Sequence, residues 1–164
     1  MTDSDRSDST LASSYTEMTE LLQPNQANSL GGALGGVVLH WMDICGAIAA
    51  LRFTNQQVVT ASMDAVDFIS PIDIGEIAVV EAYVFKTGTT SVDVKVDVHA
   101  EDPRKGERRE TTSSFLTFVA IDDQGKPVEV PELICETENE EVLRDDAIAD
   151  REAKLTELIE RLDG

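Results

Sequence analysis

The chain has 164 residues, of which 41% are hydrophobic and 27% are charged, enough for one domain with a real core. Its 32 acidic and 13 basic residues give a formal net charge of -19, and this average field repels nucleic acid and anionic membranes. The acids are spread along the chain, which is typical either of a protein adapted to a high-salt cytoplasm (halophilic), where the Debye length is about 3 Å at 1 M, or simply of a soluble acidic protein.

The N-terminal stretch is polar and acidic. Residues 1–12 predict a disordered tail, and they lack the basic start and apolar run of a secretion signal.

The two cysteines, Cys45 and Cys135, are far apart and match no metal-binding spacing. We therefore expect no metal site and no disulfide framework, and we expect a reducing, cytoplasmic location.

A long apolar helix follows the first strand. The strand is predicted over residues 14–22, a turn follows at Pro24, and the helix is predicted over residues 34–53, closed by Asn55. Its apolar side chains recur at spacings of three and four, and they are Leu34, Val38, Trp41, Cys45, Ile48 and Ala49.

This helix is not expected to span a membrane, because it contains His40 and Asp43 and ends at Arg52. A helix that is apolar around most of its circumference needs cover on nearly all sides. One sheet covers only one side, so the pattern predicts that a second subunit covers the rest.

The sequence then changes to a period of two. Strands are predicted over residues 58–72, 74–88, 91–100 and 110–122, and a charged helix over 138–162. In the third of these strands one face is entirely valine, and its members are Val92, Val94, Val96 and Val98.

The order of these elements is strand, long helix, four strands, polar helix. Short turns between the later strands favour antiparallel hairpins, so the fold class is α+β. Residues 13–135 are then the folded domain, and residues 136–164 are a C-terminal charged helix.

Asp43 is the residue that most needs an explanation, because an ionised carboxylate in an apolar helix is costly unless it is paired. Most of its neighbours on the helix face are small, so a ligand or another backbone can approach closely. Either Asp43 fixes packing or it carries chemistry. His40, three residues earlier, either orients Asp43 or is structural, and His99 lies on the polar face of its strand and is expected at the surface.

Two further features have both a structural and a functional interpretation. Gly35 and Gly36 either permit a tight turn or leave helix N-terminal N–H groups open to an anion, including an oxyanion. The basic run that includes Arg104, Lys105 and Arg108, and also Arg109, is either an exposed hairpin turn or an anchor for the phosphates of a small ligand.

These residues resemble the hotdog-fold acyl-CoA thioesterases. The matching pattern is Asn28, Gly31, Gly35-Gly36, then Met42-Asp43 and Gly46, and the later matching blocks are DFISPIDIGE (67–76), EDPRKGERRETTSSFLTFVAIDDQGKP (101–127) and VPEL (130–133). The resemblance implies a five-stranded antiparallel sheet wrapped around the long helix. It also implies a dimer with active sites at its interface, often assembled further into hexamers.

The resemblance also assigns residues. It makes Asp43 the catalytic carboxylate and Gly36 the glycine whose N–H polarises the thioester carbonyl, with Asn28 matching an asparagine of the pattern. Substrate contacts are expected from a larger set, comprising Gly35, Thr60, Ser62, Lys86, Gly88, Thr89, Ser91, Arg104, Lys105 and Arg108. The chain departs from some members at Gly32, where they carry asparagine, and at Thr89, where they carry arginine.

The implied reaction is hydrolysis of an acyl-CoA thioester without a cofactor other than the CoA of the substrate. Asp43 is either a general base for water or a nucleophile that forms an anhydride. The alternatives are an acyl-CoA-binding sensor without catalysis and a dehydratase of hydroxyacyl thioesters that uses His40 with Asp43. The expected partners are acyl-CoA and further copies of the chain, not nucleic acid or membrane.

Overall fold

The computed structural model describes residues 9–164. The helices are α1 (Leu11–Ser14), α2 (Gly35–Thr54) and α3 (Glu138–Asp163), with a short 3-10 turn at Pro24–Gln26. The strands are β1 (Thr16–Leu21), β2 (Gln57–Met63), β3 (Ile77–Thr87), β4 (Ser91–Asp102) and β5 (Glu107–Ile121).

The five strands form one antiparallel sheet in the order β1-β3-β4-β5-β2. Tight turns join β3 to β4 and β4 to β5, which makes these three strands the centre of the sheet. The chain between β1 and β2 forms α2, so β1 and β2 end up at opposite edges. The expected α+β class and the antiparallel hotdog arrangement are confirmed.

The sheet curls around α2, and the main core lies between them. All four valines of the predicted apolar face of β4 are fully buried, together with Met42 and Cys45 of the helix. The alternation of β4 decides this, because successive side chains point to opposite faces of a sheet. Asn55 ends the helix in a left-handed conformation (φ 53°), as its sequence predicts. By length and hydropathy alone α2 could cross a membrane, but here it is the core helix.

The outer face of the sheet carries α3. Its first half packs Ala147 against Tyr83, Phe85 and Phe115, with Leu11 of α1 in the same cluster. α3 then crosses the strands toward the β2 edge, since Arg151 contacts Asp93 of β4 and Lys154 contacts Ser113 of β5. Arg151 also forms a two-bond ion pair with Asp64, just after β2, at 3.0 and 3.1 Å.

Three expectations differ from the structure. The strand expected over 58–72 ends at Met63, and the rest is an irregular segment that hydrogen-bonds to β5 through the N–H groups of Asp64 and Ile69. Of the tail expected over 1–12, residues 1–8 lie outside the described residues, but Leu11 is buried and belongs to α1. His99 is half-buried rather than at the surface, and its Nδ1 is buried with no hydrogen-bond partner.

Candidate active site

Asp43 lies on the third turn of α2, where it meets the edge strand β2. The hydroxyl of Thr60 donates a hydrogen bond of 2.6 Å to Asp43 Oδ1. Asp43 is half-buried and Thr60 is exposed, so among residues 9–164 the carboxylate has one hydrogen-bond partner and remains open to solvent. A hydrogen bond to one oxygen fixes the orientation of the carboxylate and leaves the other oxygen free to accept.

The helix packs this close to the sheet because Gly46, which follows Asp43 by about one turn, has no side chain. A Cβ built on Gly46 would lie 3.1 Å from two ring carbons of Phe118 and 3.4 Å from Val96. Phe118 is the cross-strand partner of Thr60. The Gly46 contact therefore sets the level at which Asp43 meets Thr60.

The N-terminus of α2 presents open N–H groups. Leu34 is the N-cap residue and its side chain makes no capping hydrogen bond, while Gly35 and Gly36 are both exposed. Within residues 9–164, the N–H groups of Gly35 and Gly36 have no acceptor. Uncapped N–H groups with the positive end of the helix dipole stabilise an anion or a polarised carbonyl oxygen.

The loop before the helix is held by Asn28. Its side-chain oxygen accepts from the N–H of Leu30 at 2.9 Å and of Gly32 at 3.1 Å, and its own N–H donates to Gly32 O at 2.7 Å. Gly31 has a φ of +81°, which favours glycine at this turn. Asn28 itself is exposed, and its amide NH2 is left for solvent or a ligand.

Asp43 and the open helix end are two separate half-sites in one chain. Gly36 precedes Asp43 by seven residues, which is about 10 Å along a helix axis. One thioester cannot contact both groups of the same chain at hydrogen-bond distance. His40 is exposed, and no hydrogen bond among the described residues joins it to Asp43.

An apolar cleft of 390 Å³ lies beside the helix end. Gly35, Val38 and Ile72 form one side, and Phe68 and Ile69 come from the irregular segment after β2. The ring of Phe68 lies 3.7 Å from a Cβ built on Gly35, so the segment partly covers the first turn of the helix.

Four of the expected substrate contacts lie at or beside the β3–β4 turn: Lys86 near the end of β3, Gly88 and Thr89 in the turn, and Ser91 at the start of β4. An added Cβ on Gly88 would lie 2.7 Å from the hydroxyl oxygen of Ser91, so a larger residue there would make the Ser91 side chain move. The turn lies at the end of the sheet nearer Asp43, since Val92 pairs with Phe118, which pairs with Thr60.

Three other expected contacts, Arg104, Lys105 and Arg108, lie around the β4–β5 turn. They line a cleft of 540 Å³ together with four acidic residues, which are Asp73, Glu76, Asp102 and Glu107. This cleft is therefore of mixed charge. It lies beside the loop before α2, because Gly32 pairs with Asp73.

The two turns of a single chain lie too far apart to form one phosphate site. The two turns lie at opposite ends of β4, whose residues 91–102 span about 36 Å at 3.3 Å per residue. Arg104 and Arg108 therefore lie at the end of the sheet near the N-terminus of α2. Lys86 lies at the opposite end of the sheet, near Asp43.

Ser62 is also placed differently from Thr60. The register with β5 shifts between the two residues, so Ser62 pairs with Thr117, whose side chain binds Asp93 on the outer face. A bulge of one residue changes the face to which the following side chains point. The structure therefore brings Thr60, but not Ser62, to Asp43.

Cysteine is not a candidate nucleophile here. Cys45 is fully buried, and burial raises the pKa of its thiol to about 12. A thiol that stays protonated is a poor nucleophile. Within residues 9–164, no three side chains of the types that bind metal come together.

Sequence reasoning missed the ion pair between Arg109 and Glu76. The guanidinium donates to both carboxylate oxygens at 2.6 and 2.7 Å, and it holds the pKa of Glu76 below its ordinary value. Arg109 is thus committed to a protein carboxylate and is not a free phosphate anchor. The sequence feature that could have indicated a role for Glu76 is the matching block DFISPIDIGE, which ends at this residue.

Known proteins are similar to this chain along most of its length. A sequence model of the thioesterase superfamily matches residues 30–107. The uncharacterized acyl-CoA thioester hydrolase YkhA of Bacillus subtilis (strain 168) is 41% identical over 130 residues, which is 79% of this chain and 76% of that protein.

Solved structures agree with this similarity. A hexameric acyl-CoA thioesterase, solved without ligand, is 41% identical with a TM-score of 0.80, over 90% of this chain and 95% of its own. An acyl-CoA hydrolase from Staphylococcus aureus, in complex with butyryl coenzyme A, coenzyme A and coenzyme A disulfide, is 32% identical with a TM-score of 0.78, over 94% and 96%. Structures of that hydrolase also exist with one aspartate, one asparagine or one threonine replaced by alanine.

Proposed function

The chain belongs to the acyl-CoA thioester hydrolases of the thioesterase superfamily and is an acyl-CoA thioesterase, and we propose that it works through Asp43 at a site shared by two copies of the chain. The observation that carries this proposal is the hydrogen bond from Thr60 to Asp43 on an open face. The same three residue types that were replaced in the Staphylococcus aureus hydrolase, namely aspartate, asparagine and threonine, occur here as Asp43, Asn28 and Thr60.

The shared site is supported by the separation of the two half-sites. Gly36 of the same chain is about 10 Å from Asp43 along the helix, too far for one carbonyl group to contact both directly. A second copy that supplies its own helix end next to Asp43 completes the constellation. Each copy would then give Asp43 to one site and Gly36 with Asn28 to the other.

The edge strand β2 supports a second copy at this place. β2 is exposed and has no charged residue, whereas the opposite edge strand, β1, carries Glu17 and Glu20. Free edges are usually protected by charge, so an uncharged edge in a chain of net charge -19 favours pairing with an equal edge.

Antiparallel pairing of two β2 strands would have the required direction. Gln57 at the start of β2 lies toward the β3–β4 turn, and Met63 at its end leads to the segment beside the helix end. A two-fold axis that crosses β2 between Thr60 and Met63, about 5 Å beyond the level of Asp43, sets Asp43 of one chain opposite the helix end of the other. The Asp43 end of each chain would therefore face the Gly36 end of its partner. Hexamers among the solved relatives favour further association of such dimers.

In the proposed reaction the thioester carbonyl oxygen accepts the N–H of Gly36. Asp43 takes a proton from water, the water oxygen bonds to the carbonyl carbon, and the C–S bond breaks to release the CoA thiolate and a carboxylic acid. In the alternative, a carboxylate oxygen of Asp43 bonds to the carbonyl carbon, the C–S bond breaks to release the CoA thiolate, and water then cleaves the anhydride to give the carboxylic acid and free Asp43. In both, Thr60 orients the carboxylate, and no cofactor is needed because water and the thioester supply all atoms.

Substrate binding follows from the same arrangement. The acyl chain would occupy the apolar cleft beside Gly35 and Phe68. The phosphates of CoA would bind near Lys86 and Ser91, which lie at the Asp43 end of the same chain. The enzyme would act in the cytoplasm, where acyl-CoA is found.

The first experiment measures thiol release from acetyl-, hexanoyl- and palmitoyl-CoA in molar potassium chloride. Asp43→Asn should lower kcat by about 10²- to 10⁴-fold with the oligomer intact. Asp123→Asn, in an exposed turn, is the matched control and should match wild type. Binding of acyl-CoA without thiol release by the wild type would contradict hydrolysis and favour a sensor.

A mixing experiment tests the shared site. Asp43→Asn and Asn28→Ala are each prepared, unfolded, mixed in equal amounts and refolded. If each site takes Asp43 from one copy and Asn28 from the other, half of the dimers have one intact site, and activity returns to about a quarter of wild type. Restoration no greater than the sum of the two separate variants would contradict a shared site.

A further inference from the structure

The ion pair of Glu76 with Arg109 holds a turn that is hydrogen-bonded to the loop between Asn28 and the first turn of α2. We propose that these two residues are a positioning pair for catalysis. They hold the N-terminus of α2 and Asn28 where both can contact the thioester. This inference rests on the proposed function, because it concerns the half-site that Gly36 and Asn28 supply.

The pair is rigid. Glu76 is 8% exposed and receives both guanidinium branches of Arg109 at 2.6 and 2.7 Å. Arg109 also donates to the carbonyl oxygen of Pro71, and Glu76 Oε1 accepts the N–H of Asp73 at 2.8 Å. A fork of this kind fixes direction as well as distance, which a single lysine cannot do.

The turn held in this way, residues 71–76, is hydrogen-bonded to the loop before α2. Ala33 donates to Ile72 O at 2.8 Å and Ile74 donates to Gly31 O at 3.0 Å. Gly32 and Asp73 form an antiparallel bridge between these two contacts. The ion pair thus fixes residues 72–74, which pair with residues 31–33 of the loop in a short ladder of hydrogen bonds.

The loop passes this constraint on to the proposed catalytic groups. Gly32 is joined to Asn28 by two hydrogen bonds, of 2.7 and 3.1 Å, and Ala33 is two residues before Gly35. The N-cap residue, Leu34, makes no side-chain capping hydrogen bond to the helix. The first turn of α2 is therefore positioned from outside the helix, through the ladder.

A phosphate-binding role for Arg109 is the competing interpretation, and the contacts disfavour it. Arg109 already has two carboxylate bonds and a carbonyl bond, and Asp73 lies 4.0 Å away. Arg104, Lys105 and Arg108 have weaker or no such engagement and remain the basic groups of that cleft.

The test compares Glu76→Gln, Arg109→Lys and Arg109→Met with wild type in steady-state kinetics and thermal unfolding. A misplaced helix end should lower kcat by about tenfold to hundredfold in Glu76→Gln and Arg109→Met, with KM changed by less than about threefold. Arg109→Lys should fall between, because it keeps the charge without the fork. Arg144→Met, which removes an exposed ion pair with Asp145, is the control and should leave both constants unchanged.

A double variant, Glu76→Gln with Arg109→Met, separates one unit from two independent effects. If the two residues act as a pair, the double variant should lose no more kcat than the worse single variant. If Arg109→Met fails to fold, Arg109→Lys alone and combined with Glu76→Gln supplies the same comparison.

Three results would overturn the proposal. A lowered Tm with kcat unchanged at a temperature where the protein is folded would make the pair merely structural. A raised KM with unchanged kcat would make Arg109 a substrate anchor, and additive losses would deny a pair. Failure of the proposed function is distinct, because wild type itself would then release no thiol or Asp43→Asn would remain active.

Discussion

The close contact at Gly46 allows a sharp prediction about how α2 sits on the sheet. Replacement of Gly46 by alanine adds one methyl group in a place where the nearest ring carbons of Phe118 are 3.1 Å away. Phe118 is fully buried, and favourable carbon–carbon contact begins near 3.5 Å, so either the ring or the helix must move by a few tenths of an ångström.

Two opposing effects set the magnitude. Alanine in place of glycine inside a helix stabilises by about 1 kcal/mol, while an extra methyl group in a packed core costs about 1–3 kcal/mol. The net loss in the free energy of unfolding is then about 1 kcal/mol, which lowers Tm by about 2–4 °C for a chain of this size.

Gly36→Ala is the matched comparison on the same helix. A Cβ there has no atom within 4 Å, so the free energy of unfolding should be unchanged or higher. Thiol release should nevertheless fall, because the new methyl group stands where the thioester is proposed to approach the helix N–H. The two alanine variants should thus separate stability from activity.

The assay is urea unfolding at fixed molar potassium chloride, followed by thermal unfolding at several protein concentrations. A fixed slope with a lower midpoint for Gly46→Ala would indicate a change in stability alone. A Gly46→Ala variant as stable as wild type would refute the reasoning, since it would mean that the helix is not pressed against Phe118.

Three other changes have defined outcomes. Glu140 accepts backbone N–H groups, including that of Ala12 at 2.9 Å, and these hold its pKa below the ordinary value. Glu140→Gln should therefore lower the free energy of unfolding by about 1–2 kcal/mol at pH 7, and the difference, measured by urea unfolding, should be complete above about pH 4.5 and vanish as the pH falls through the lowered pKa. Arg151→Ala should lower it by about 1–2 kcal/mol in low salt by breaking the ion pair with Asp64, whereas Arg144→Ala should leave Tm unchanged. With a net charge of -19, Tm of the wild type should rise as potassium chloride is raised from about 0.1 to 2 M, and a flat or falling Tm would contradict a salt-adapted surface.

The sequence by itself determined the features that depend on short distances along the chain. The apolar spacing of α2, its end at Asn55, and the valine alternation of β4 are periodic or turn signals read over a few residues, and each is confirmed. Asp43 was singled out for the same reason, because a carboxylate in such a helix conflicts with its surroundings.

The tertiary structure alone decided the contacts between distant residues. Thr60 meets Asp43 across 17 residues and Arg109 meets Glu76 across 33. Such pairs depend on strand register, and a one-residue shift in β2 is enough to keep Thr60 beside Asp43 while Ser62 points to the other face. The separation of Asp43 from Gly36, and of the two basic turns from each other, likewise follows from the lengths of α2 and β4. Local patterns predict that an element forms, but only packing decides where it ends and which ends come together.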